Sequence, residues 1–330
     1  MKSILILLHF GLLAAAYAVV LNQWIQPSIF PYFNLLSLGF PVLMVLNLIL
    51  LVFWWFYRWK IAFVFTLLSL CLAIPLNKIV HIYGAPETTE SNLKLITYNV
   101  HYYKKDAEGL KNLLIEENPD IILLQELGPG SKTLMANIFK DTPHYYEDHN
   151  LLGIASKFPV IETKKFRLEP YPTTYAYADI ALPNDTVRFI TFYLESLHID
   201  QDEIKDPNVD SERIKNNFKT LSSKVLKTAK IHQKQIDAIR ENIKSSPYPV
   251  VLAGDMNAVP SSYEYYALKR GKKDAFLYGD KVLGTTFPSF GVPLRLDFVF
   301  VPEEFKIKSH RIEPVPYSDH YPVIVEIEIP

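Results

Sequence analysis

The chain has 330 residues, 34 Lys and Arg against 35 Asp and Glu, and one cysteine, so it has neither a disulfide framework nor a thiolate metal site. The first 77 residues contain three cations, Lys2, Arg58 and Lys60, and no acidic residue. The rest of the chain has the other 31 cations and all 35 acidic residues, which give it a net charge of about −4. This mild acidity argues against tight, nonspecific binding of duplex DNA, which requires a basic surface.

Three apolar segments, at 4–21, 35–57 and 61–82, occupy the beginning of the chain. Each approaches or exceeds the roughly 20 residues with which a helix crosses a bilayer. A single run of this kind is also typical of a buried globular helix, but three in succession with three charges predict three transmembrane helices. The first run has an alternative interpretation as a cleavable secretory signal, because Lys2 precedes it and Ala16-Tyr17-Ala18 resembles a cleavage site.

The basic residues predict the orientation of these helices. Lys2 precedes the first helix and Arg58 and Lys60 lie between the second and third, whereas the 22–34 connection has no charge. Since basic loops stay in the cytoplasm, we expect a multi-pass protein of the plasma (inner) membrane with a cytoplasmic N-terminus. The predicted organisation is a membrane domain at 1–84, a polar linker at 85–92 and an outer domain at 93–330.

The outer domain alternates strand-like and helix-like segments. Strands are predicted at 93–100, 120–126, 151–156, 175–182, 187–194, 249–254, 296–301 and 322–329, and helices at 107–117, 132–139 and 211–243. The last helix is amphipathic and therefore should cover a sheet. This order favours an α/β sandwich in which sheets pack face to face beneath helices.

Four of these segments have polar groups at a strand end. The groups are Asn99, Gln125-Glu126, Asp255-Met256-Asn257 and, before the last strand, Asp319-His320. Ligand sites of α/β folds gather where strands emerge into loops, so these groups are candidates for one site. Taken singly, each is equally typical of a turn, a cap or a surface charge.

Together with Gly153-Ile154-Ala155-Ser156-Lys157-Phe158-Pro159 and Arg295-Leu296-Asp297-Phe298-Val299-Phe300, these motifs form an ordered pattern. Through this pattern of motifs, residues 93–330 resemble the endonuclease/exonuclease/phosphatase superfamily. Members of this superfamily include DNase-I-like nucleases, sphingomyelinases and inositol polyphosphate phosphatases. The resemblance implies a four-layer α/β sandwich whose single site, between two sheets, hydrolyses phosphate esters with a divalent metal.

The residue types suit a hard cation. Glu126 and Asp319 offer carboxylate oxygens and Asn99 an amide oxygen, a set suited to Mg²⁺, with Mn²⁺ as an alternative. The metal would polarise a phosphate oxygen and neutralise developing charge.

The resemblance also implies catalytic roles. Asp255 resembles the residue that orients or deprotonates the attacking water, and Asn257 is expected to hold that water or the phosphate. His320 is expected to donate to a phosphate oxygen as an imidazolium, with Asp297 as the carboxylate that holds its ring.

The sequence departs from the family pattern at Tyr193, where a histidine is usual. A phenol still donates a hydrogen bond but brings no charge, and losing such a donor costs roughly 2.7–4 kcal/mol, or about two to three orders of magnitude in rate. His101 shares the predicted face of Asn99 and is a candidate phosphate contact, although a solvated loop histidine is the more ordinary interpretation. His198 is a weaker substitute, because an extended strand would turn it away from Tyr193. Tyr175 and Tyr177 share one face of a predicted strand and are expected to pack in the core rather than stack on a base.

The leading hypothesis is an outward-facing, metal-dependent hydrolase of phosphate mono- or diesters, with nucleic acid, phospholipid or sugar phosphate as substrate. Lipid headgroups are included because three spans would hold the site near a bilayer. The alternative is a binding or scaffolding module that kept the fold while Tyr193 abolished turnover. Specificity is expected in the loops at 140–150, 199–212 and 279–294, and no obligate protein partner is predicted.

Overall fold

The computed structural model describes residues 2–81, 91–128, 145–148, 151–170, 173–198, 211–279, 283–288 and 293–330. The helix predicted at 132–139 lies outside these residues, and the predicted linker at 85–92 lies mostly outside them. The loops expected to carry specificity, at 140–150, 199–212 and 279–294, are described only in part.

The N-terminal part contains three helical segments that are long and apolar enough to cross a membrane. They are α1 (Lys2–Ala18) with a 3-10 turn (Val19–Gln23), α2 (Tyr32–Tyr57), and α3 (Trp59–Ser69) extended by a 3-10 turn (Leu70–Leu72) and α4 (Ala73–Leu76). The third segment ends at Leu76, before the predicted end near Ile82, which lies outside the described residues. Beyond Leu76 the chain still packs on the bundle through Ile79 and also contacts the soluble part, where Lys78 Nζ donates to Tyr266 Oη at 2.8 Å.

The three segments form one bundle. Phe40, Trp54 and Phe65 are buried at its centre. His9 Nε2 lies 2.9 Å from Asn47 Oδ1, and Asn47 Nδ2 donates to Ser69 Oγ at 3.1 Å. Such polar contacts commonly join transmembrane helices, and here they bind α1 to the other two segments.

The soluble part contains two mixed sheets, each of six strands among the described residues. The first sheet has the order β11-β12-β1-β2-β4-β3, from β1 (Leu93–Asn99), β2 (Ile121–Gln125), β3 (Tyr145–Asp148), β4 (Leu152–Ser156), β11 (Lys306–Ile312) and β12 (Val323–Glu328). The second has the order β5-β6-β7-β8-β10-β9, from β5 (Val160–Arg167), β6 (Thr173–Ala181), β7 (Thr186–Tyr193), β8 (Val250–Asp255), β9 (Lys272–Asp274) and β10 (Asp297–Pro302).

The sheets pack face to face over an apolar core that includes Leu95, Ile121, Phe189 and Val251. The outer face of the first sheet is covered by α5 (Ala107–Glu117). The outer face of the second is covered by α6 (Ser211–Ser245) and α7 (Tyr263–Lys269). The architecture is therefore helix, sheet, sheet, helix, which confirms the predicted four-layer sandwich.

Each sheet has one parallel pair at its centre, β1 with β2 and β7 with β8. The two strands of a parallel pair end at the same edge of the sheet, so their terminal side chains are neighbours. Gly254 lies just before the end of β8, next to the backbone of Phe192. A Cβ atom at position 254 would be 2.1 Å from the carbonyl oxygen of Phe192. This close approach explains the glycine before Asp255.

The predicted strands and helices within the described residues are present, whereas β3, β5, β9, β11 and α7 were not predicted, and β3 lies in a segment that was predicted as a loop. β5 is an edge strand with the residues VIETKKFR, and β11 is an edge strand with KIKSHRI. Charged side chains are common on edge strands, where they discourage pairing with another chain, and they hide the alternating pattern of a strand. Tyr175 packs beneath α6, where its hydroxyl donates to Ala238 O at 3.2 Å, so its predicted core position is confirmed.

Candidate active site

The polar ends of the central strands meet in one place. Asn99 ends β1, Glu126 follows β2, and Asp255 ends β8 of the opposite sheet. Asn99 Nδ2 donates to Glu126 Oε1 at 2.9 Å and to Asp255 Oδ2 at 3.0 Å. One buried amide thus bridges a carboxylate of each sheet, and the two sheets contribute to the same site.

Glu126 and Asp319 lie on either side of a third side chain, His101. The His101 Nδ1 atom is 3.3 Å from Glu126 Oε2 and 3.5 Å from Asp319 Oδ2. The side chains of both acidic residues are about one eighth exposed, and that of His101 is 32 % exposed, so the group opens to solvent. His101 is therefore part of the site and not an isolated loop histidine.

The surroundings of Glu126 favour its charged form. Burial by itself would raise its pKa, but hydrogen bonds from His101, Asn99 and Tyr193 lower the pKa below the usual value. The Glu126 backbone has a φ of 53°, in the left-handed region that most residues avoid. This turn directs the carboxylate back over the end of β2 toward its partners.

Asp255, Asp297 and His320 form the buried half of the site. Asp297 Oδ2 lies 2.8 Å from His320 Nδ1, the pairing that the sequence predicted, and Asp255 Oδ2 lies 3.8 Å from His320 Nε2. Burial alone would lower the pKa of His320, but the charges of Asp297 and Asp255 raise it to about 10. Burial, reinforced by Asp297, raises the pKa of Asp255 to about 7 despite the opposing charge of His320.

Asn257 braces the turn after β8. Its backbone N–H donates to Asp255 Oδ1 at 2.8 Å, and its Nδ2 donates to Leu194 O at 2.9 Å. Asn257 has a φ of 47°, a conformation that asparagine tolerates better than most residues. The amide nitrogen therefore holds the end of β7 beside Asp255.

Tyr193 ends β7 and lies half-buried near Glu126 and Asp255, and its phenol helps to lower the pKa of Glu126. Burial, together with the charges of Glu126 and Asp255, raises the pKa of Tyr193 far above its usual value. The side chain is accordingly a neutral phenol at physiological pH. His198 does not join it: that side chain is 75 % exposed and contacts Glu195 at 3.1 Å.

Asn99 differs from its predicted orientation. The sequence led us to expect its amide oxygen at a metal, but this oxygen accepts a hydrogen bond from the His101 backbone N–H at 3.0 Å. Its nitrogen faces Glu126 and Asp255 instead. A direct ligand role for Asn99 remains a prediction and would require rotation of the amide.

Gln125 supports the site from below, a role that the sequence analysis did not assign. Its Nε2 donates to Thr97 Oγ1 at 3.1 Å and to Thr191 Oγ1 at 2.9 Å, and so links the two sheets. Gln125 is fully buried. A glutamine within an otherwise apolar strand was the available signal, since buried amides need hydrogen-bond partners.

Within the described ranges, two groups of side chains have the chemistry of a metal site. Glu126 and Asp319 converge on one point at the solvent-facing side, where hard carboxylate oxygens suit Mg²⁺ or Mn²⁺. Asp255, Asp297 and His320 each offer a ligand atom within 4.8 Å of one another. In this second group the histidine already pairs with Asp297, so Glu126 and Asp319 fit a hard cation better, provided that His101 turns aside.

Comparisons with known proteins agree with this geometry. The model of the Endonuclease/Exonuclease/phosphatase family matches residues 96–320, and that of a domain of unknown function, DUF8431, matches residues 2–79. Among curated proteins, none matches the chain.

Several solved structures are similar in fold. A family protein from Leptotrichia buccalis is 17 % identical with a TM-score of 0.53, over 72 % of this chain and 100 % of its own. D. rerio TDP2 complexed with single-strand DNA product is 17 % identical with a TM-score of 0.53, over 72 % and 99 %. The mannosyl-6-phosphatase Bt3783 of Bacteroides thetaiotaomicron is 16 % identical with a TM-score of 0.52, over 72 % and 100 %. At these identities the likeness shows the fold alone.

Proposed function

Because the chain belongs to the Endonuclease/Exonuclease/phosphatase family, we propose that it is a membrane-anchored, divalent-metal-dependent hydrolase of phosphate esters. The observation that carries the proposal is the bridge that Asn99 makes between Glu126 and Asp255. This bridge joins a carboxylate suited to a cation to a carboxylate suited to a base, within one cleft. The neighbours named for DNA and for a sugar phosphate share the fold and leave the substrate class open.

Glu126 and Asp319 would hold the metal, which we propose to be Mg²⁺ with Mn²⁺ as a substitute. When bound, the ion supplies Lewis-acid polarisation of a phosphate oxygen. His101 lies between the two carboxylates and would move outward, which its partial exposure permits. Asn99 would keep Glu126 at a fixed distance from Asp255 through its two hydrogen bonds.

Asp255 is the proposed general base. A pKa of about 7 suits a carboxylate that must take a proton from water near neutral pH. The Asn257 backbone N–H holds Oδ1 of Asp255 and Asn99 Nδ2 holds Oδ2, so the carboxylate is fixed in place and would accept the water proton on a remaining lone pair.

His320 is the proposed donor to a nonbridging phosphate oxygen. Asp297 accepts from its Nδ1 and keeps the ring protonated, which leaves Nε2 to face the substrate. This arrangement supplies a positive charge near the reacting centre although Tyr193 does not.

The interactions of Tyr193 argue against the alternative of an inactive module. Its phenol helps to lower the pKa of Glu126, so we propose that it donates a hydrogen bond to this carboxylate and orients it, and does not contact the phosphate as a histidine would. His101 and His320 bring two other imidazoles to the cleft. The loss of one histidine from the family pattern is therefore compatible with turnover.

We further propose that the catalytic domain lies outside the cell. The domain contacts the end of the bundle formed by residues 22–37 and 78–80, whereas Lys2, Arg58 and Lys60 belong to the opposite end. Basic ends stay in the cytoplasm, which gives a cytoplasmic N-terminus. Protease added to intact cells should remove the C-terminal domain; protection of that domain, with cleavage only after lysis, would reverse the topology.

The catalytic proposal is tested with the full-length protein in detergent. With Mg²⁺ it should hydrolyse bis-p-nitrophenyl phosphate, and Asp255→Asn, which keeps the shape but loses the base, should abolish turnover. The matched control is Asp179→Asn, which changes another buried carboxylate, paired with Arg188 and remote from the cleft. Equal turnover in wild type and Asp255→Asn would reject the proposed base.

A further inference from the structure

The connection between α1 and α2 marks one surface of the bilayer. Trp24 and Ile29 in this connection are 67 % and 74 % exposed, and Tyr32 at the start of α2 is 51 % exposed. Tryptophan and tyrosine prefer the headgroup layer. The 26 residues of α2 span about 39 Å, close to the ~40–45 Å of a bilayer with its headgroups. Tyr32 therefore lies in the headgroup layer.

The catalytic domain is hydrogen-bonded to the bundle at this same depth. Asn22 Nδ2 and Ser37 Oγ donate to Ser261 O at 3.1 and 2.9 Å. Asn34 Nδ2 donates to both oxygens of Glu264 at 2.9 and 2.8 Å. All five residues in these contacts are buried. Ser37 is more than one helical turn deeper in the membrane than Tyr32, so Ser261 reaches at least the headgroup layer.

These contacts lie at the catalytic end of the sandwich. Ser261 belongs to the connection that follows Asp255, and six residues of chain extend at most about 20 Å. Glu264 also contacts His232 Nδ1 at 2.9 Å, and His232 Nε2 lies 2.7 Å from the carbonyl oxygen of Glu195, two residues after Tyr193. The bundle is thus joined to the loops that follow both β8 and β7, and the cleft lies beside the bilayer surface.

This geometry points to a phosphodiester of a membrane lipid headgroup as the substrate. The inference rests on the proposed function and assigns its substrate class. A lipid phosphate lies at the depth that Ser261 reaches, and the tether holds the cleft next to it. A nucleic-acid strand would need open space beside the cleft and basic groups along its backbone, whereas the chain after position 78 is net acidic.

The proposed step is an ordinary hydrolysis. The water oxygen forms a bond to phosphorus while its proton passes to Asp255, one P–O ester bond breaks, and the leaving oxygen takes up a proton from solvent. The products are a phosphate monoester and an alcohol, and no redox partner is required.

The test uses the full-length protein reconstituted with Mg²⁺ in vesicles of phosphatidylethanolamine and phosphatidylglycerol. The comparison substrates are the deacylated, water-soluble forms of the same two lipids, a single-stranded oligonucleotide, and bis-p-nitrophenyl phosphate. We expect the lipids to be cleaved roughly 100-fold faster than their deacylated forms, because the tether raises their effective concentration. Equal rates for both forms, or preference for the oligonucleotide, would overturn the lipid assignment while hydrolysis of bis-p-nitrophenyl phosphate upholds the proposed function. Failure on every substrate would remove both.

A variant pair tests whether docking matters. Asn22→Ala, Asn34→Ala and Ser37→Ala combined remove the bundle's side-chain hydrogen bonds to Ser261 and Glu264. In contrast, Asn47→Ala removes a buried asparagine of α2 whose side-chain hydrogen bonds, within the described residues, stay inside the bundle. The first variant should lose roughly tenfold or more of its lipid rate relative to its bis-p-nitrophenyl phosphate rate, because the cleft is no longer oriented. The second should keep the wild-type ratio. An unchanged ratio in the docking variant would contradict the inference. A wild-type rate of the docking variant on bis-p-nitrophenyl phosphate is the control that shows that this variant is folded.

Discussion

The phenol of Tyr193 offers the sharpest test of how this site works without the usual histidine. Tyr193→Phe removes one oxygen from a half-buried ring and leaves its packing on the inter-sheet core intact. Glu126 then keeps its hydrogen bond from Asn99 and, once His101 has moved outward, its proposed contact with the bound Mg²⁺. A hydrogen bond to a charged group is worth about 1.5–3 kcal/mol, and the slight exposure of Glu126 lets water replace part of it. We therefore expect kcat/KM to fall by about tenfold, which corresponds to the lower end of that range.

The assay is Mg²⁺-dependent hydrolysis of bis-p-nitrophenyl phosphate, measured together with the Mg²⁺ concentration at half-maximal rate. Tyr193→His serves as the comparison, because an imidazole retains a donor and adds charge when protonated. It should equal or exceed the wild-type rate, by up to about two to three orders of magnitude. A Tyr193→Phe enzyme with wild-type kcat/KM would refute the proposed hydrogen bond to Glu126 as a catalytic feature. If the wild-type protein has no measurable turnover and Tyr193→His produces turnover, the result would instead favour the inactive-module alternative.

Three further predictions concern other parts of the domain. Asp297→Asn leaves His320 without its anionic partner, so turnover at pH 8 should fall by about two orders of magnitude or more. Turnover equal to that of the wild type would show that Asp297 has only a packing role. Glu126→Gln should abolish Mg²⁺ binding in calorimetry, and undiminished binding would exclude Glu126 as a ligand. Burial lowers the pKa of His310 to about 4 in the folded protein. Between pH 6.5 and pH 4 the imidazole is therefore protonated mainly in the unfolded chain, so the free energy of unfolding should decrease by about 3 kcal/mol over this range. His310→Phe should remove that acid sensitivity from thermal unfolding curves; an unchanged pH dependence would contradict this origin.

The sequence was sufficient for the central strands and for the membrane segments. Strands such as β8 are buried on both faces and form continuous apolar runs, and their polar ends predict the candidate site. The edge strands β3, β5, β9 and β11 were missed: β5 and β11 carry many charged side chains, and β3 and β9 have only four and three residues. Tertiary context, not local pattern, decides such strands.

Within the site, the residues were easier to predict than their orientations. The pairing of Asp297 with His320 followed from the family pattern, whereas the rotation of the Asn99 amide depends on the turn that brings the His101 N–H to its oxygen. Three consecutive left-handed residues, His101 to Tyr103, make that turn, and no residue type in it signals the conformation. The contacts of Asn34 with Glu264 join positions more than 200 residues apart, which local sequence patterns cannot report.

The position of a bound metal tests the central claim most directly. Anomalous diffraction from crystals of the full-length protein soaked in Mn²⁺ should reveal an ion with carboxylate oxygens of Glu126 and Asp319 at about 2.0–2.2 Å, and with His101 displaced from between them. An ion held by Asp255, Asp297 and His320 instead, with Glu126 and Asp319 unliganded, would contradict the assignment of metal and base.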